Sequence, residues 1–163
     1  MPRETIQLLE EEASAAFFRL LNKILWGRKY PRDYGSGELL HMAEAEILDR
    51  VGSAERATTT LLAEQLGVSK PAVSSLVNKL EAKGYLCKTT SAAHSNIKYL
   101  SLTRKGAKSR DGFRAYRDQL HGYLDGISKT ELRGHINVLM RMESFIDDHH
   151  EQLKRDLNLK RGI

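Results

Sequence analysis

The stretch Thr58-Thr-Thr-Leu-Leu-Ala-Glu-Gln-Leu-Gly-Val-Ser-Lys-Pro-Ala-Val-Ser-Ser-Leu-Val-Asn-Lys-Leu-Glu-Ala-Lys-Gly84 decides the fold. It reads as two helices joined by a short turn at Gly67-Val68-Ser69. The first is expected over about Thr60–Leu66, behind a Thr cap and ended where Gly67 can turn left-handed. The second starts behind Ser69 as N-cap, with Pro71 in the first turn where a missing N–H costs nothing, and ends at Gly84. Within it Val73, Leu76, Val77 and Leu80 recur at i, i+3, i+4 and i+7, a single buried stripe. Pro71, Ser74, Ser75, Asn78 and Lys79 occupy the opposite face, flanked by Lys70 and Ala72. Short, polar and basic side chains suit a helix lying in a DNA groove, with donors and acceptors for base edges and cations for phosphates. An ordinary helical hairpin packed on a core would show the same apolar stripe.

The distribution of charge separates these alternatives better than the motif does. The 163 residues carry a net +5. Residues 1–52 hold 7 Lys/Arg and 9 Asp/Glu, and residues 111–163 hold 9 of each. Residues 53–110 hold 10 Lys/Arg against Glu55, Glu64 and Glu81 alone, with no Asp. The positive excess therefore falls on the segment with the helix-turn-helix, as expected of a phosphate-binding module.

Downstream the period changes. Tyr85–Thr89 and Ile97–Thr103 read as two short strands, Leu100 and Leu102 alternating with polar neighbours. The small polar run at 90–96 suits a hairpin tip. A helix-turn-helix followed by such a hairpin is a winged helix, the wing reaching along a duplex. A helix follows from Arg104 to about Leu124, weakened by Gly106, Gly112 and Gly122. Ser128 and Glu131 then form a capping box that opens a last helix to about Leu157, with Leu132, Ile136, Leu139, Met142, Phe145, Ile146, Leu153 and Leu157 as its apolar set.

Upstream, residues 4–26 have helical periodicity and large apolar side chains, including Phe17, Phe18 and Trp26. Residues 27–37, with Pro31 and three glycines, read as an exposed loop whose tyrosines and basic residues face solvent. A second helix is expected over Glu38–Val51, ended by Gly52. Long apolar helices at both ends need covering, which points to an intertwined homodimer. Two recognition helices related by a two-fold axis would then enter successive major grooves about 34–36 Å apart and read a pseudo-palindrome. The expected fold is thus mainly α with a small β wing (α+β), a winged helix-turn-helix with dimerisation helices at both termini. Its expected parts are 1–36, an N-terminal dimerisation helix and loop; 37–106, the DNA-binding module; and 107–163, C-terminal dimerisation helices.

The chain resembles the MarR-type winged-helix transcriptional regulators. The resemblance is carried by Leu62-Ala-Glu-Gln-Leu-Gly-Val-Ser69, by Val73-Ser-Ser-Leu-Val-Asn-Lys-Leu-Glu-Ala-Lys-Gly-Tyr-Leu86, and by Leu100-Ser-Leu-Thr-Arg-Lys-Gly106. It implies a homodimeric regulator, in the repressor sense, on double-stranded DNA, with contacts at Ser69, Lys70, Ala72, Ser74, Ser75, Asn78 and Lys79. Asn78 would read an adenine edge, while Lys70 and Lys79 would meet phosphates. The family's wing usually carries an Asp two residues before an Arg. Here those positions are His94 and Asn96, so the minor-groove contact changes character and Lys88 and Lys98 are expected to meet phosphates instead. A small-molecule effector between the dimer helices and the winged module is also implied. Glu38-Leu-Leu-His-Met-Ala-Glu44 is similar to a subgroup that senses acyl chains, which makes His41 a candidate effector contact.

Other chemistry finds little support. One cysteine, Cys87, excludes an intramolecular disulfide and fits a reducing cytoplasm. No apolar run approaches the roughly 20 residues that span a bilayer, and no signal peptide is apparent. The six histidines and Cys87 lack metal-ligand spacing, so neither metal nor cofactor is expected. Neither a phosphate loop nor a nucleophile elbow occurs, so no enzyme is expected. The competing possibility is a winged-helix module that binds another protein through its helical arms.

Overall fold

A computed structural model describes residues 3–90 and 97–161. Within its helices, the side chains at 3, 4, 120, 153, 154 and 156–161 lie outside that description, Leu153 and Leu157 among them. The chain forms two compact units, residues 1–120 and 121–163.

The first unit opens with α1 (Arg3–Gly27), followed by β1 (Arg32–Asp33) paired antiparallel with β2 (Leu39–Leu40). The expected exposed loop is therefore a small hairpin. Asp33 builds it: Oδ1 accepts from the N–H of Gly35 at 2.8 Å and of Gly37 at 3.1 Å, both glycines at positive φ. Tyr34 is not a solvent-facing residue as expected. It is 4% exposed and packs edge-on against Phe113 and Tyr116. α2 (Met42–Ser53) starts four residues later than expected, because Leu39 and Leu40 are drawn into the hairpin. Its start is set by Glu44, whose Oε2 accepts from the His41 N–H at 2.8 Å.

α3 (Thr59–Leu66) and α4 (Lys70–Ala82) follow the expected caps. Thr58 Oγ1 accepts from Leu61 N–H, Gly67 adopts φ 63°, and Ser69 Oγ accepts from Ala72 N–H. α4 ends at Ala82 with Lys83 as its C-cap, and Gly84 follows at φ 75° as the expected terminating glycine, turning the chain into the wing. β3 (Leu86–Thr90) pairs antiparallel with β4 (Lys98–Leu102), Leu86 opposite Leu102 and Thr90 opposite Lys98. The tip expected at 90–96, with His94 and the proposed contact Asn96, lies at 91–96 outside the described residues. Leu100 N–H also donates to Ala57 O at 2.9 Å, joining the wing to the segment before α3.

The core gathers Leu40, Ile47, Leu48, Leu62, Val73, Val77, Leu80 and Tyr85, each 0% exposed. Three of the four predicted stripe residues of α4 are thus fully buried, with Leu76 packed at the margin. α5 (Arg104–Leu120) lies along α2 and closes this core with Phe113. It is pinned by Asp49, which is 6% exposed and meets Arg114 Nε at 2.5 Å and Arg117 Nη1 at 2.7 Å. At the other end Lys105 bonds Glu38 at 2.5 Å and the Lys83 carbonyl at 3.0 Å, its ammonium 4.3 Å from the Tyr85 ring centre. The Lys105 ammonium holds the Glu38 carboxyl below its ordinary value.

The second unit holds a 3-10 turn (His121–Leu124), where continuation of the α-helix was expected, and α6 (Lys129–Arg161). The expected capping box is present: Ser128 N–H donates to Glu131 Oε2 at 2.9 Å, and Glu131 N–H to Ser128 Oγ at 3.3 Å. Among the described residues, no helix is long and apolar enough to cross a membrane, and no three His, Cys, Asp or Glu cluster as a metal site would need.

Candidate nucleic-acid interface

Two clefts flank the recognition helix α4. The first, about 570 Å³, lies between α4, the N-terminal end of α3 and the wing. Lys70, Ser74 and Asn78 line it from α4, Lys88 and Lys98 from the wing strands, and Thr58, Thr59 and Thr60 from α3. Five of the residues proposed from sequence thus converge on one concave surface. The spacing 70, 74, 78 explains why: residues four apart stack along one face of a helix. The three threonines were missed. Their sequence signal is an unbroken hydroxyl run at a helix start, which a Thr cap alone also explains. Hydroxyls together with Lys70 and Lys98 along one groove supply donors that phosphate oxygens can accept.

The remaining proposed residues are placed elsewhere. Ser69 is exposed at the N-cap and Ser75 is exposed on α4, neither lining this groove. Ala72 faces the second cleft. Lys79 turns to α2, its Nζ 2.9 Å from Glu44 Oε1 but off the line of a hydrogen bond, with Lys83 behind it at 3.9 Å. Burial pushes the Glu44 carboxyl up, but the His41 N–H and the Lys79 ammonium outweigh it and hold the group below its ordinary value. Lys88 reaches across from β3, donating to Asn78 Oδ1 at 2.6 Å and to Glu81 Oε2 at 2.6 Å.

The second cleft, about 430 Å³, lies between α2, α5 and the turn of the helix-turn-helix. Its apolar wall includes Leu66, Val68, Leu76 and Phe113. Arg28 and Arg117 at its edge are paired with Glu46 and Asp49, while Arg50 has no carboxylate within ion-pair distance among the described residues. His41 is exposed at the N-cap of α2 and lines neither cleft.

A helix-turn-helix, a two-stranded wing and a lysine-lined groove between them define a winged-helix protein. Residues 40–95 match the MarR family, and the chain is similar to it over that segment. Over 81 residues the chain is 33% identical to the uncharacterized HTH-type transcriptional regulator YhjH of Bacillus subtilis (strain 168), a match covering 50% of this chain and 46% of that protein. The match thus spans about half the length of that curated relative. Among solved structures, a MarR/EmrR family transcriptional regulator from Acinetobacter sp. ADP1 superposes with a TM-score of 0.67 at 22% identity, covering 86% of this chain and 98% of the other. Streptococcus pneumoniae FabT in complex with DNA superposes at 0.62, also at 22% identity, over 88% and 98%. At that identity the likeness is one of fold. The family and these relatives are transcriptional regulators rather than enzymes.

Proposed function

We propose that the chain is a sequence-specific double-stranded DNA-binding regulator, a repressor in the reducing cytoplasm, acting as a homodimer on a pseudo-palindromic operator. The observation that carries this is the 570 Å³ groove, where Lys70, Ser74, Asn78 and Lys98 face one space with three threonine hydroxyls. Ser74 and Asn78 are the base-reading side chains; Lys70 and Lys98 meet phosphates. Ser69 and Ser75 extend the contact along α4, and Asn96 does so at the wing. The DNA-bound FabT structure shares this fold and supports the assignment.

Homodimerisation is supported by large apolar side chains left exposed in the single chain. Phe18, Leu20 and Trp26 on α1 are 57–63% exposed, and Met140 and Phe145 on α6 are 61% and 72% exposed. The 430 Å³ cleft is the proposed effector site, its apolar wall and Arg50 suiting a small amphipathic anion, an acyl carboxylate included. His41 would act only at its margin.

Fluorescence anisotropy with genomic duplexes at about 50 and about 200 mM salt tests the assignment. Binding that weakens steeply with salt is expected. Absent or salt-insensitive DNA binding, with capture of a protein partner instead, would favour a protein-interaction module.

A further inference from the structure

We infer that Lys88 is a positioning residue for sequence readout: it orients the amide of Asn78 through a Lys88–Glu81 bridge and does not act as a phosphate anchor. The inference rests on the DNA-binding assignment above and gives one of its groove lysines a different task.

Lys88 lies on β3, with its side chain only 20% exposed, and spends two of its three N–H donors within the protein. One goes to Glu81 Oε2 at 2.6 Å, an ion pair that cancels its charge locally. A lysine neutralised in place displaces no counterion when DNA arrives, so it adds little to salt-dependent affinity. The other goes to Asn78 Oδ1 at 2.6 Å. An ammonium has no acceptor, so the contact settles which end of the amide faces it: the oxygen turns toward Lys88 and Nδ2, with both donors, turns away. Glu81 and Asn78 are three residues apart on α4 and share one side of the helix. A single cation from the wing can therefore hold both, fixing the rotamer of the proposed base reader before DNA arrives. Preorganisation of that kind raises affinity for the right sequence by removing the ordering cost at binding. Lys70 and Lys98 line the same groove with no ion pair among the described residues, and they remain the phosphate contacts.

The test uses full-length protein and a duplex selected by the parent from a random pool. Affinity for that duplex and for an unrelated duplex is measured across a salt series. Lys88→Met is expected to lose about tenfold or more on the selected duplex, while the slope of log affinity against log salt stays near the parent's. Lys88→Arg, able to bridge the same two oxygens, is expected to restore most of that loss. Glu81→Gln frees the Lys88 charge and is expected to steepen the slope by about one while narrowing the gap between the two duplexes. If Lys88→Met instead weakens both duplexes alike and flattens the slope by about one, Lys88 is a phosphate anchor and the inference is wrong. If the parent selects no duplex, the DNA-binding assignment itself fails. Thermal melting of each variant separates lost readout from lost folding.

Discussion

Glu44 is 1% exposed, caps α2 through the His41 N–H and faces Lys79 across the interface with the recognition helix. Its folded value lies below the ordinary 4.5. A depressed carboxyl contributes stability that is present above its unfolded value and is lost as pH falls through the folded one. Stability is therefore expected to decline as pH drops from about 4.5. Glu44→Gln should flatten part of that decline and cost about 1–2 kcal/mol at neutral pH, measured by urea unfolding. An unaltered pH profile would show that the carboxylate is not the titrating group. In the groove, Asn78→Ala is expected to cost about 1–3 kcal/mol on the preferred duplex and to relax preference at one base position, whereas Lys70→Ala should weaken all duplexes evenly and lower the salt slope by about one. Competition binding separates these two behaviours. Sequence could bring Lys70, Ser74 and Asn78 together because they share one helix face. It could not assign Lys79, since Glu44 lies 35 positions earlier on another helix and only the tertiary fold brings them together.

The elements whose chemistry is local are legible in the sequence. Thr58, Ser69 and the Ser128–Glu131 box act on neighbours within three residues, and the wing strands alternate as expected. Elements set by distant packing are not. The β1–β2 hairpin is only two residues per strand, too short for a periodic signal, and it moved the start of α2. Helix propensity marks Gly106 and Gly112 as weak points of α5, but close packing requires glycine at both. A Cβ on Gly106 would come 2.1 Å from Tyr85 O, and one on Gly112 would come 2.1 Å from Tyr34 O. Both obstacles are backbone and cannot swing aside. Gly112→Ala is expected to destabilise the protein by about 2–3 kcal/mol or more, whereas Gly122→Ala, with only Asp125 Oδ2 at 3.9 Å, should change stability by less than about 1 kcal/mol. Thermal denaturation of the two variants side by side checks the contrast, and equal melting temperatures would contradict it.

At the scale of the molecule, the charge partition and the apolar terminal helices are both visible in the chain, and each has a counterpart in the structure: a lysine-lined groove and exposed apolar side chains on α1 and α6. The 430 Å³ cleft proposed for an effector is not legible in the sequence, because it draws residues from α2, α5 and the helix-turn-helix that are far apart in the chain. Phe145→Glu, at a site 72% exposed in the single chain, should leave the winged helix folded and shift sedimentation toward the monomer mass. The central claim, that α4 and the wing form a DNA-reading groove used twice in a two-fold dimer, is tested most directly by hydroxyl-radical footprinting on the selected duplex. Two protected segments about one helical turn apart, some 34–36 Å, are expected, and both should be lost together with Asn78→Ala and Lys70→Ala combined. A single protected segment, or protection that survives those substitutions, would contradict it.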